Sequence, residues 1–321
     1  MEVNNMYYLG VDLGGTHMAI GLVNKEGTII AKAETPTLPE RPYQELVADM
    51  VKCMHIAMNE ANVTEDEIAS IGIGIPGTAD RNGVVVFCTN LGWHNIPLRE
   101  EIQKHISKPV FIDNDANVAG WAEYAAGVSR GTDTSVFLTL GTGVGAGIVI
   151  NGKLWAGRHN VAAEYGHITI NADDGVPCTC GKSGCTERYC SATAIIRMGK
   201  EACEANPDCL LVQRCGGDLS KLNAKIIIDA AKEGDAIANS VFNRYATYLT
   251  IAVNNIISFL DPDMIVLGGG VSHAGEFLLN AVRERLPQYL MFKTLPYAEL
   301  RQAKLGNDAG IIGAALLGIE Q

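Results

Sequence analysis

The sequence predicts an α/β protein built from two related halves, with the same order of strands and helices in each. A strand, a glycine turn and a second strand begin the first half at residues 7–24 and the second half at 134–150. Runs with strand and helix periodicity follow in both halves. Laying Leu13-Gly14 over Leu140-Gly141 also aligns Asn24 with Asn151. The shared order predicts a duplicated β-β-β-α-β-α unit.

The first half is predicted to form a meander of three strands followed by helices and further strands. A Gly14-Gly15 turn separates the first two strands, and Lys25-Glu26-Gly27 separates the next two. Apolar residues at helical spacing, such as Leu46, Met50 and Met54, predict the first helix. The predicted strands are 7–12, 17–24, 28–35, 68–75 and 110–113, and the predicted helices are 42–61 and 116–126.

The second half repeats this order and ends on a small apolar helix. Its predicted strands are 134–140, 146–150, 153–156 and 264–267, and its predicted helices are 236–259, 276–290 and 310–317. We place a smaller domain at residues 1–118 plus 305–321 and a larger one at 119–304. Open α/β sheets bind ligands beyond the carboxyl ends of their strands, so we expect the chemistry in a cleft between the domains.

Composition and charge exclude several classes of function. The 321 residues carry a formal net charge of −11, which disfavours nucleic acid and anionic membranes as partners. No run of about 18 apolar residues occurs, because Asn254 and Asn255 interrupt the longest candidate. Residues 1–8 lack the pattern of a signal peptide, and the cysteines, nine in number, argue against a disulfide framework. We therefore expect a cytoplasmic protein.

Two glycine turns are candidate phosphate cradles. In the first, Gly14 and Gly15 let the backbone N–H groups approach a phosphate, Thr16 adds a hydroxyl, and Asp12 can hold Mg²⁺ through water. The second turn, at 141–145, offers Thr142 and Gly143 in the same way. Plain β-hairpins are the alternative for either turn alone. Their equivalent places in a repeat favour a triphosphate held between the two turns.

Two other nucleotide-binding patterns fail on inspection. The spacing from Gly147 to Lys153 resembles a P-loop, but Leu154 replaces the hydroxyl residue that must hold Mg²⁺. The stretch from Gly72 to Gly77 matches a dinucleotide-binding spacing, but Pro76 and turn residues replace the expected helix. We expect those glycines to shape a loop at the cleft.

The segment from Asp113 to Asn117 is a candidate catalytic segment because two acids and two amides stand between a strand and a helix. One of Asp113 and Asn114 is expected to serve only as the helix N-cap. A kinase that phosphorylates an alcohol needs a carboxylate to accept the hydroxyl proton. We assign that role to Asp115 and sugar binding to Asn114.

One histidine and three cysteines form a candidate zinc site. A nitrogen and three thiolates suit tetrahedral Zn²⁺, and four protein ligands predict a structural site. Free or buried cysteines are the alternative, and they are the default for the other six. The same segment carries Glu164 and Glu187, which we expect to bind sugar hydroxyls rather than to be simple surface acids. The zinc ligands are His167, Cys178, Cys180 and Cys185.

Together these segments resemble the ROK family of repressors, open reading frames and sugar kinases over nearly the whole chain. The matching segments are Asp12-Leu-Gly-Gly-Thr16, Asp113-Asn-Asp-Ala-Asn117, Leu140-Gly-Thr-Gly-Val-Gly-Ala-Gly147, Glu164-Tyr-Gly-His167 and Cys178-Thr-Cys-Gly-Lys-Ser-Gly-Cys-Thr-Glu187. Two features depart from the family. Ala163 stands where glycine is usual before the signature glutamate, and residues 206–223 look atypical, with no role that we can assign.

The resemblance implies an actin-like, ribonuclease-H-like ATPase fold and a homodimer whose domains close on a hexose. It implies transfer of the γ-phosphate of Mg-ATP to the 6-hydroxyl, with glucose as the leading substrate, and a His167 that binds both zinc and sugar. The implied sugar contacts are Gly77, Asn90, Asn114, Asp115, Glu164, His167 and Glu187. The implied border of adenosine is Gly268, Gly269, Gly270 and the stretch around Ala309-Gly310.

Several alternatives stay open from sequence. The acceptor can be N-acetylmannosamine, fructose or allose, and the donor can be polyphosphate. Repressors of this family carry a helix-turn-helix ahead of the first phosphate motif. Only eleven residues precede Asp12 and the chain is acidic, which argues against a repressor. Asp115 and both glycine turns argue against a binding protein without catalysis.

Overall fold

The computed structural model describes residues 6–319, and its first half contains the predicted meander with additional short elements. The strands are β1 (Tyr7–Leu13), β2 (His17–Asn24), β3 (Ile29–Pro36), β4 (Ile68–Ile75), β5 (Thr78–Ala79), β6 (Val85–Cys88), β7 (Trp93–Ile96) and β8 (Val110–Asn114). The helices are α1 (Tyr43–Ala61), α2 (Leu98–Gln103) and α3 (Asp115–Ala125).

The second half begins with strands and continues with a series of helices. The strands are β9 (Ser135–Leu140), β10 (Val144–Ile150), β11 (Lys153–Leu154), β12 (Met264–Gly268) and β13 (Glu299–Gln302). The helices are α4 (Glu187–Cys190), α5 (Ala192–Ala205), α6 (Leu210–Arg214), α7 (Ala224–Lys232), α8 (Ala236–Leu260), α9 (Glu276–Arg285) and α10 (Ala309–Leu316).

The sheet topology confirms the duplication. One five-stranded sheet has the order β3-β2-β1-β4-β8 and the other has the order β11-β10-β9-β12-β13. In the first, β1 pairs antiparallel with β2 and parallel with β4. In the second, β12 pairs parallel with both β9 and β13. Equivalent strands therefore occupy equivalent places, as two copies of one β-β-β-α-β-α unit would.

Several elements were not predicted from sequence. They are the three-stranded sheet β5-β6-β7, the helices α2 and α4–α7, and the edge strand β13. The predicted helix 276–290 was too long, because α9 ends at Arg285 and a 3₁₀ turn follows at Leu286–Gln288. Pro287 has no N–H to donate to the turn before it, so the α-helix cannot continue through it.

Glycines in the central strands of the first sheet allow a helix to pack directly on the backbone. A Cβ atom at Gly10 would overlap the carbonyl oxygen of Ile311, and one at Gly72 would overlap that of Ala314. Gly72 and Gly74 both lie within β4, so the expectation that they shape a loop was wrong. They are strand residues, and Gly72 makes room for α10.

The opposite face of the first sheet is covered by α1, which buries the apolar residues whose spacing predicted it, including Leu46, Met50 and Met54. In the second half, α8 is the central helix. It buries Phe242, Tyr245 and Leu249, and the Tyr245 hydroxyl donates to the carbonyl oxygen of Cys190 at 2.6 Å. A buried hydroxyl needs such a partner.

Within the described chain, contacts group residues 6–134, 147–163 and 304–319 into a first unit and residues 135–146 and 164–303 into a second. The prediction divided the chain at 118 and 305. In the structure α3 packs along α10, and the Trp121 indole donates to the carbonyl oxygen of Leu316 at 3.0 Å. The whole of α3 therefore belongs to the first unit. No helix between residues 6 and 319 has the length and apolarity that a membrane span requires.

Candidate active site

The first glycine turn joins β1 to β2. The Gly14 N–H donates to the carbonyl oxygen of His17 at 3.0 Å, and the Thr37 hydroxyl donates to the Gly14 carbonyl at 2.7 Å. A Cβ atom at Gly15 would lie 3.3 Å from the Cβ of Asn90. Asn90, an expected sugar contact, therefore lies beside the expected phosphate turn, and Thr16 is exposed.

Asp12 lies one residue before the end of β1, close to the start of α10. Burial raises the pKa of its carboxyl group. A Cβ atom at Gly310 would overlap the Asp12 carboxylate, so glycine at that place lets the helix start approach the acid. The positive end of a helix favours a nearby carboxylate. Asp12 and Gly310, which were both expected to bind ATP or its Mg²⁺, are therefore neighbours.

Asn114 is the N-cap of α3, as expected for one of the residues at this place. Its side-chain oxygen accepts from the N–H groups of Ala116 at 2.9 Å and Asn117 at 3.4 Å. Its amide nitrogen donates to the carbonyl oxygen of Gly77 at 3.2 Å. A Cβ atom at Gly77 would lie 2.9 Å from the Cα of Cys88, so this loop is tightly packed.

Asp115 is the first residue of α3 and is exposed. Its Oδ1 accepts from the Ala116 N–H at 2.9 Å, and the helix start favours a negative charge here. Burial first, and the Asp115 charge to a smaller extent, raises the pKa of the Cys88 thiol. Cys88 is fully buried beside this segment, and no spacing in the sequence had singled it out.

Asp113 differs from Asp115 in its surroundings. Its carboxylate accepts from the Asn114 N–H at 2.7 Å and from the Asn117 amide at 2.8 Å. Burial nevertheless raises its pKa, with these hydrogen bonds acting in the opposite direction. The Asp115 carboxylate is exposed, whereas that of Asp113 is half-buried and already accepts two hydrogen bonds, so Asp115 is the acid more accessible to a substrate hydroxyl.

The second glycine turn joins β9 to β10 in the second unit. The Gly141 N–H donates to the Gly143 carbonyl at 3.0 Å, and the Ala192 N–H donates to the Gly141 carbonyl at 2.7 Å. The Thr193 hydroxyl donates to the carbonyl oxygen of Thr142 at 2.8 Å. The start of α5 therefore holds this turn in shape, a role for Thr193 that no local motif signals.

Glu187 links the second turn to the cysteine cluster. Its Oε2 accepts from the Val144 N–H at 3.1 Å, and its Oε1 lies 4.0 Å from the Cys178 sulfur. A Cβ atom at Gly143 would overlap this carboxylate, so glycine there lets the acid lie against the turn. One acid thus contacts both the expected phosphate turn and an expected zinc ligand.

The structure brings the four predicted zinc ligands together. The Nδ1 of His167 lies 3.6 Å from the Cys178 sulfur, and the sulfurs of Cys180 and Cys185 are also 3.6 Å apart. All four ligand atoms lie within 4.8 Å of one another. Sulfurs around tetrahedral Zn²⁺, with bonds of about 2.3 Å, are about 3.8 Å apart. The donor set and its spacing therefore fit zinc.

Glu164 is exposed and precedes a 3₁₀ turn at Tyr165–His167. A Cβ atom at Gly166 would overlap the carbonyl oxygen of Val144, so this turn is pressed against β10. Ala163 has a φ of +67°, in the left-handed region that favours glycine. Glycine would adopt this conformation without steric cost, and this chain adopts it with alanine.

The three glycines after β12 have different surroundings. Gly269 has a φ of +78°, and a Cβ atom there would lie 2.7 Å from the backbone of Leu140. A Cβ atom at Gly268 would lie 2.6 Å from the Phe137 ring, whereas one at Gly270 would meet nothing within 4 Å. The backbone at Gly270 is therefore open to a ligand.

The predicted site residues divide between the two units. The first unit holds Asp12, Gly14, Gly15, Thr16, Gly77, Asn90, Asn114, Asp115 and Gly310. The second holds Thr142, Gly143, Glu164, His167, Glu187, Gly268, Gly269, Gly270 and the three cysteines of the cluster. Within each unit the members lie at strand ends, helix starts or the turns beside them.

Residues 8–321 match the ROK family. This chain belongs to the ROK family. The glucokinase of Thermotoga maritima is 40% identical over 310 residues, covering 96% of this chain and 95% of that protein. A solved ROK glucokinase from Streptomyces griseus, in complex with glucose and AMPPNP, is 35% identical with a TM-score of 0.81. The match covers 98% of this chain and 100% of that chain.

ROK proteins that are repressors also resemble this chain. The xylose repressor of Caldicellulosiruptor bescii is 30% identical over 306 residues, which are 95% of this chain and 76% of that protein. The resemblance to the ROK family that the sequence motifs indicated is confirmed, as is the two-part α/β fold of ROK kinases.

Proposed function

We propose that this ROK protein is a glucokinase that transfers the γ-phosphate of Mg-ATP to the 6-hydroxyl of glucose. The observation that carries the proposal is an exposed Asp115 at the start of α3, in a chain that glucokinases match over nearly its whole length. A repressor that only senses sugar needs no such base.

Asp115 acts as the general base in this proposal. Its carboxylate accepts the proton of the attacking hydroxyl, a step that needs a group within hydrogen-bond reach and in its charged form. The N–H groups at Gly15 and Gly143 bind phosphate oxygens, and Gly14, whose N–H donates to His17, forms the tight turn that brings the backbone close to them. Asp12 would hold Mg²⁺ through water, and the ion offsets phosphate charge when bound.

The acceptor sugar is bound by two sets of polar groups. Gly77, Asn90, Asn114 and Asp115 form one set, and Glu164, His167 and Glu187 form the other. The Asn114 side-chain oxygen is occupied by the helix cap and one amide N–H donates to Gly77, so the second amide N–H is the part available for a sugar hydroxyl. Carboxylates such as Glu164 accept hydrogen bonds from vicinal hydroxyls, which selects polyols.

Zinc has a structural part in the proposal. His167, Cys178, Cys180 and Cys185 would hold it with no ligand position left open. The ion would fix the imidazole ring by one nitrogen and leave the other for a sugar hydroxyl. Since Glu187 lies beside Cys178, the same frame would orient this acid.

The deciding experiment is an ADP-release assay with Mg-ATP and a panel of sugars. The panel contains glucose, mannose, fructose, allose, N-acetylglucosamine and N-acetylmannosamine. Strongest turnover on glucose supports the proposal. Turnover only on an acetylated sugar would keep the kinase activity but identify an N-acetylated hexosamine, rather than glucose, as the substrate. No turnover with any sugar, with ATP or polyphosphate as donor and zinc bound, overturns the proposed kinase.

The homodimer and the cytoplasmic location belong to the same proposal, and they rest on the family resemblance. Light scattering of the purified protein, with and without glucose, measures the oligomeric state. A mass twice that of the 34.3 kDa chain supports the dimer, and a mass equal to it contradicts the dimer. Fractionation of the source cells tests the location.

A further inference from the structure

A cavity of about 520 Å³ lies within the first unit, and none of the predicted site residues lines it. Its walls come from the loop after β5, from α2, from β8, from the segment that begins at β11 and from the end of α10. Charged and aromatic side chains dominate this wall. The charged ones are Asp80, Arg81, Arg99, Asp113 and Lys153, and the aromatic ones are Phe111 and Trp155.

The cations in the wall have no acidic partner within the part of the chain that the structure describes. Among residues 6–319, no carboxylate oxygen lies within 4.0 Å of a side-chain nitrogen of Arg81, Arg99 or Lys153. Three cations without a carboxylate partner among the described residues give this cavity a positive surface, which suits an anionic ligand.

Arg99 is held in place before any ligand binds. Its Nε donates to the carbonyl oxygen of Val110 at 2.9 Å, and its Nη1 donates to that of Arg81 at 3.0 Å. A Cβ atom at Gly83 would lie 2.5 Å from the Arg99 Cβ, so the side chain packs against this glycine. A guanidinium fixed in this way loses little entropy on binding phosphate.

The two acids of the wall are already occupied. The Asp80 Oδ1 accepts from the N–H groups of Asn82 and Val84, both at 2.9 Å. The Asp113 carboxylate accepts from the Asn114 N–H and the Asn117 amide. Burial raises the pKa of the Asp113 carboxyl group. The three cations outnumber the two acids, so the wall keeps a net positive charge.

Trp155 gives the cavity an aromatic surface next to these cations. Its side chain is 51% exposed, whereas Trp93 and Trp121 are both 4% exposed. An exposed indole ring packs well against the C–H face of a sugar ring, and cations bind the phosphate group. The volume is large enough for both parts of such a ligand.

We propose that this cavity binds a phosphorylated sugar, with the phosphate at Arg81, Arg99 and Lys153 and the sugar ring on Trp155. The proposal does not depend on the kinase activity. It predicts a site that a neutral sugar does not occupy, and binding should weaken with added salt because the phosphate contacts are ionic.

The test is a titration of tryptophan fluorescence with glucose 6-phosphate in the presence of saturating glucose. Inorganic phosphate and AMP are parallel probes. We expect a saturable change with glucose 6-phosphate that is lost in Trp155→Phe. Arg99→Gln should weaken binding at least tenfold, and Lys52→Gln, an exposed lysine on α1 outside the cavity, should not.

Because Arg99 packs against Gly83, its variant can disturb the fold. Arg81→Gln and Lys153→Gln, both at exposed side chains, test the same cations without that effect. Equal affinity in these variants and the parent would overturn the site. Equal affinity for inorganic phosphate and glucose 6-phosphate would contradict the claim that the sugar ring is recognised. Tighter binding of AMP than of glucose 6-phosphate would contradict it as well and would indicate a nucleotide ligand. If glucose is still turned over in any of these cases, the proposed kinase activity stands although the proposed cavity ligand does not.

Discussion

The carboxylate of Glu187 accepts a hydrogen bond from the backbone N–H of Val144 at 3.1 Å. This contact ties an expected sugar ligand to the turn expected to hold phosphate. The same acid is 4.0 Å from the Cys178 sulfur, so a change at Glu187 should reach both the sugar and the nucleotide.

Glu187→Gln and Glu187→Ala are expected to separate these two effects. Glutamine keeps an oxygen that accepts from Val144 but loses the charge, so KM for glucose should rise while KM for ATP changes little. Alanine removes the hydrogen bond as well, so both KM values should rise. A loss of about 1.5–3 kcal/mol for a charged hydrogen bond corresponds to a rise of about 10- to 100-fold. Steady-state kinetics with each substrate varied measures this, and equal KM values for ATP in the two variants would contradict the link.

Asp115→Asn should lower kcat by about 10²- to 10⁴-fold, because the amide cannot accept the hydroxyl proton. KM for glucose should change much less, since the amide still forms hydrogen bonds. Glu100→Gln, an exposed acid in the first turn of α2, is the matched control and should keep parental kcat. Full turnover in Asp115→Asn would remove this residue from the role of base.

Removal of zinc should destabilise the second unit. We expect one zinc per chain by elemental analysis, and less than one in Cys178→Ser. A strong chelator should lower Tm by about 6–12 °C, because a loss of about 3 kcal/mol shifts Tm by about 2–4 °C per kcal/mol. Cys209→Ser, at a half-buried cysteine outside the cluster, should keep its zinc. If the chelator removes the zinc from the parent protein and its Tm stays the same as that of the zinc-bound protein, the prediction is contradicted.

Ala163→Gly should stabilise the protein by about 0.5–1 kcal/mol. An L-residue with a φ of +67° has a steric cost that glycine avoids, and the greater freedom of glycine in the unfolded chain offsets part of the gain. The expected rise in Tm is about 1–4 °C. Ala162→Gly serves as the control, because Ala162 is not in the left-handed region and its change should lower Tm. A lower Tm in Ala163→Gly would mean that the side chain contributes packing.

Asp113→Asn should alter how stability depends on pH. Burial raises the folded-state pKa of Asp113 above its unfolded value of about 4. Between these two values the native state binds more protons than the unfolded state, so the free energy of unfolding of the parent falls as pH rises through this window. The variant lacks this titration, and its stability relative to the parent should therefore rise from about pH 4 and level off above the folded pKa.

Denaturant unfolding at a series of pH values measures this difference. Asp229→Asn gives the opposite sign, because a hydrogen bond from Lys225 lowers the pKa of Asp229. The stability that ionised Asp229 contributes is present above its unfolded-state pKa and is lost as pH falls. Because Asp229 is partly exposed to solvent, this contribution is small. A stability difference for Asp113→Asn that stays constant with pH would contradict the burial argument.

Much of the fold was predictable from local pattern. The bounds of β2 and β4 agree with the prediction, because alternating and continuous apolar runs between turn residues define them. The helices α4, α6 and α7 were missed because they have only four, five and nine residues. Shortness does not explain α5, which has 14 residues and buries apolar residues such as Ile195 and Met198 at helical spacing. The strand β13 has one buried residue, so it carries no apolar run to signal it.

The sequence by itself determined the duplication, the family and the candidate zinc ligands. These depend on the order of residues along the chain, and the cysteines need only a short loop with glycines to come together. Only the tertiary structure decided that Glu187 contacts Val144 and that Gly310 lies against Asp12. It also decided that Arg81, Arg99 and Lys153 share a cavity. Such contacts join residues far apart in the chain, and they follow from how helices pack on sheets, which no short stretch of sequence encodes.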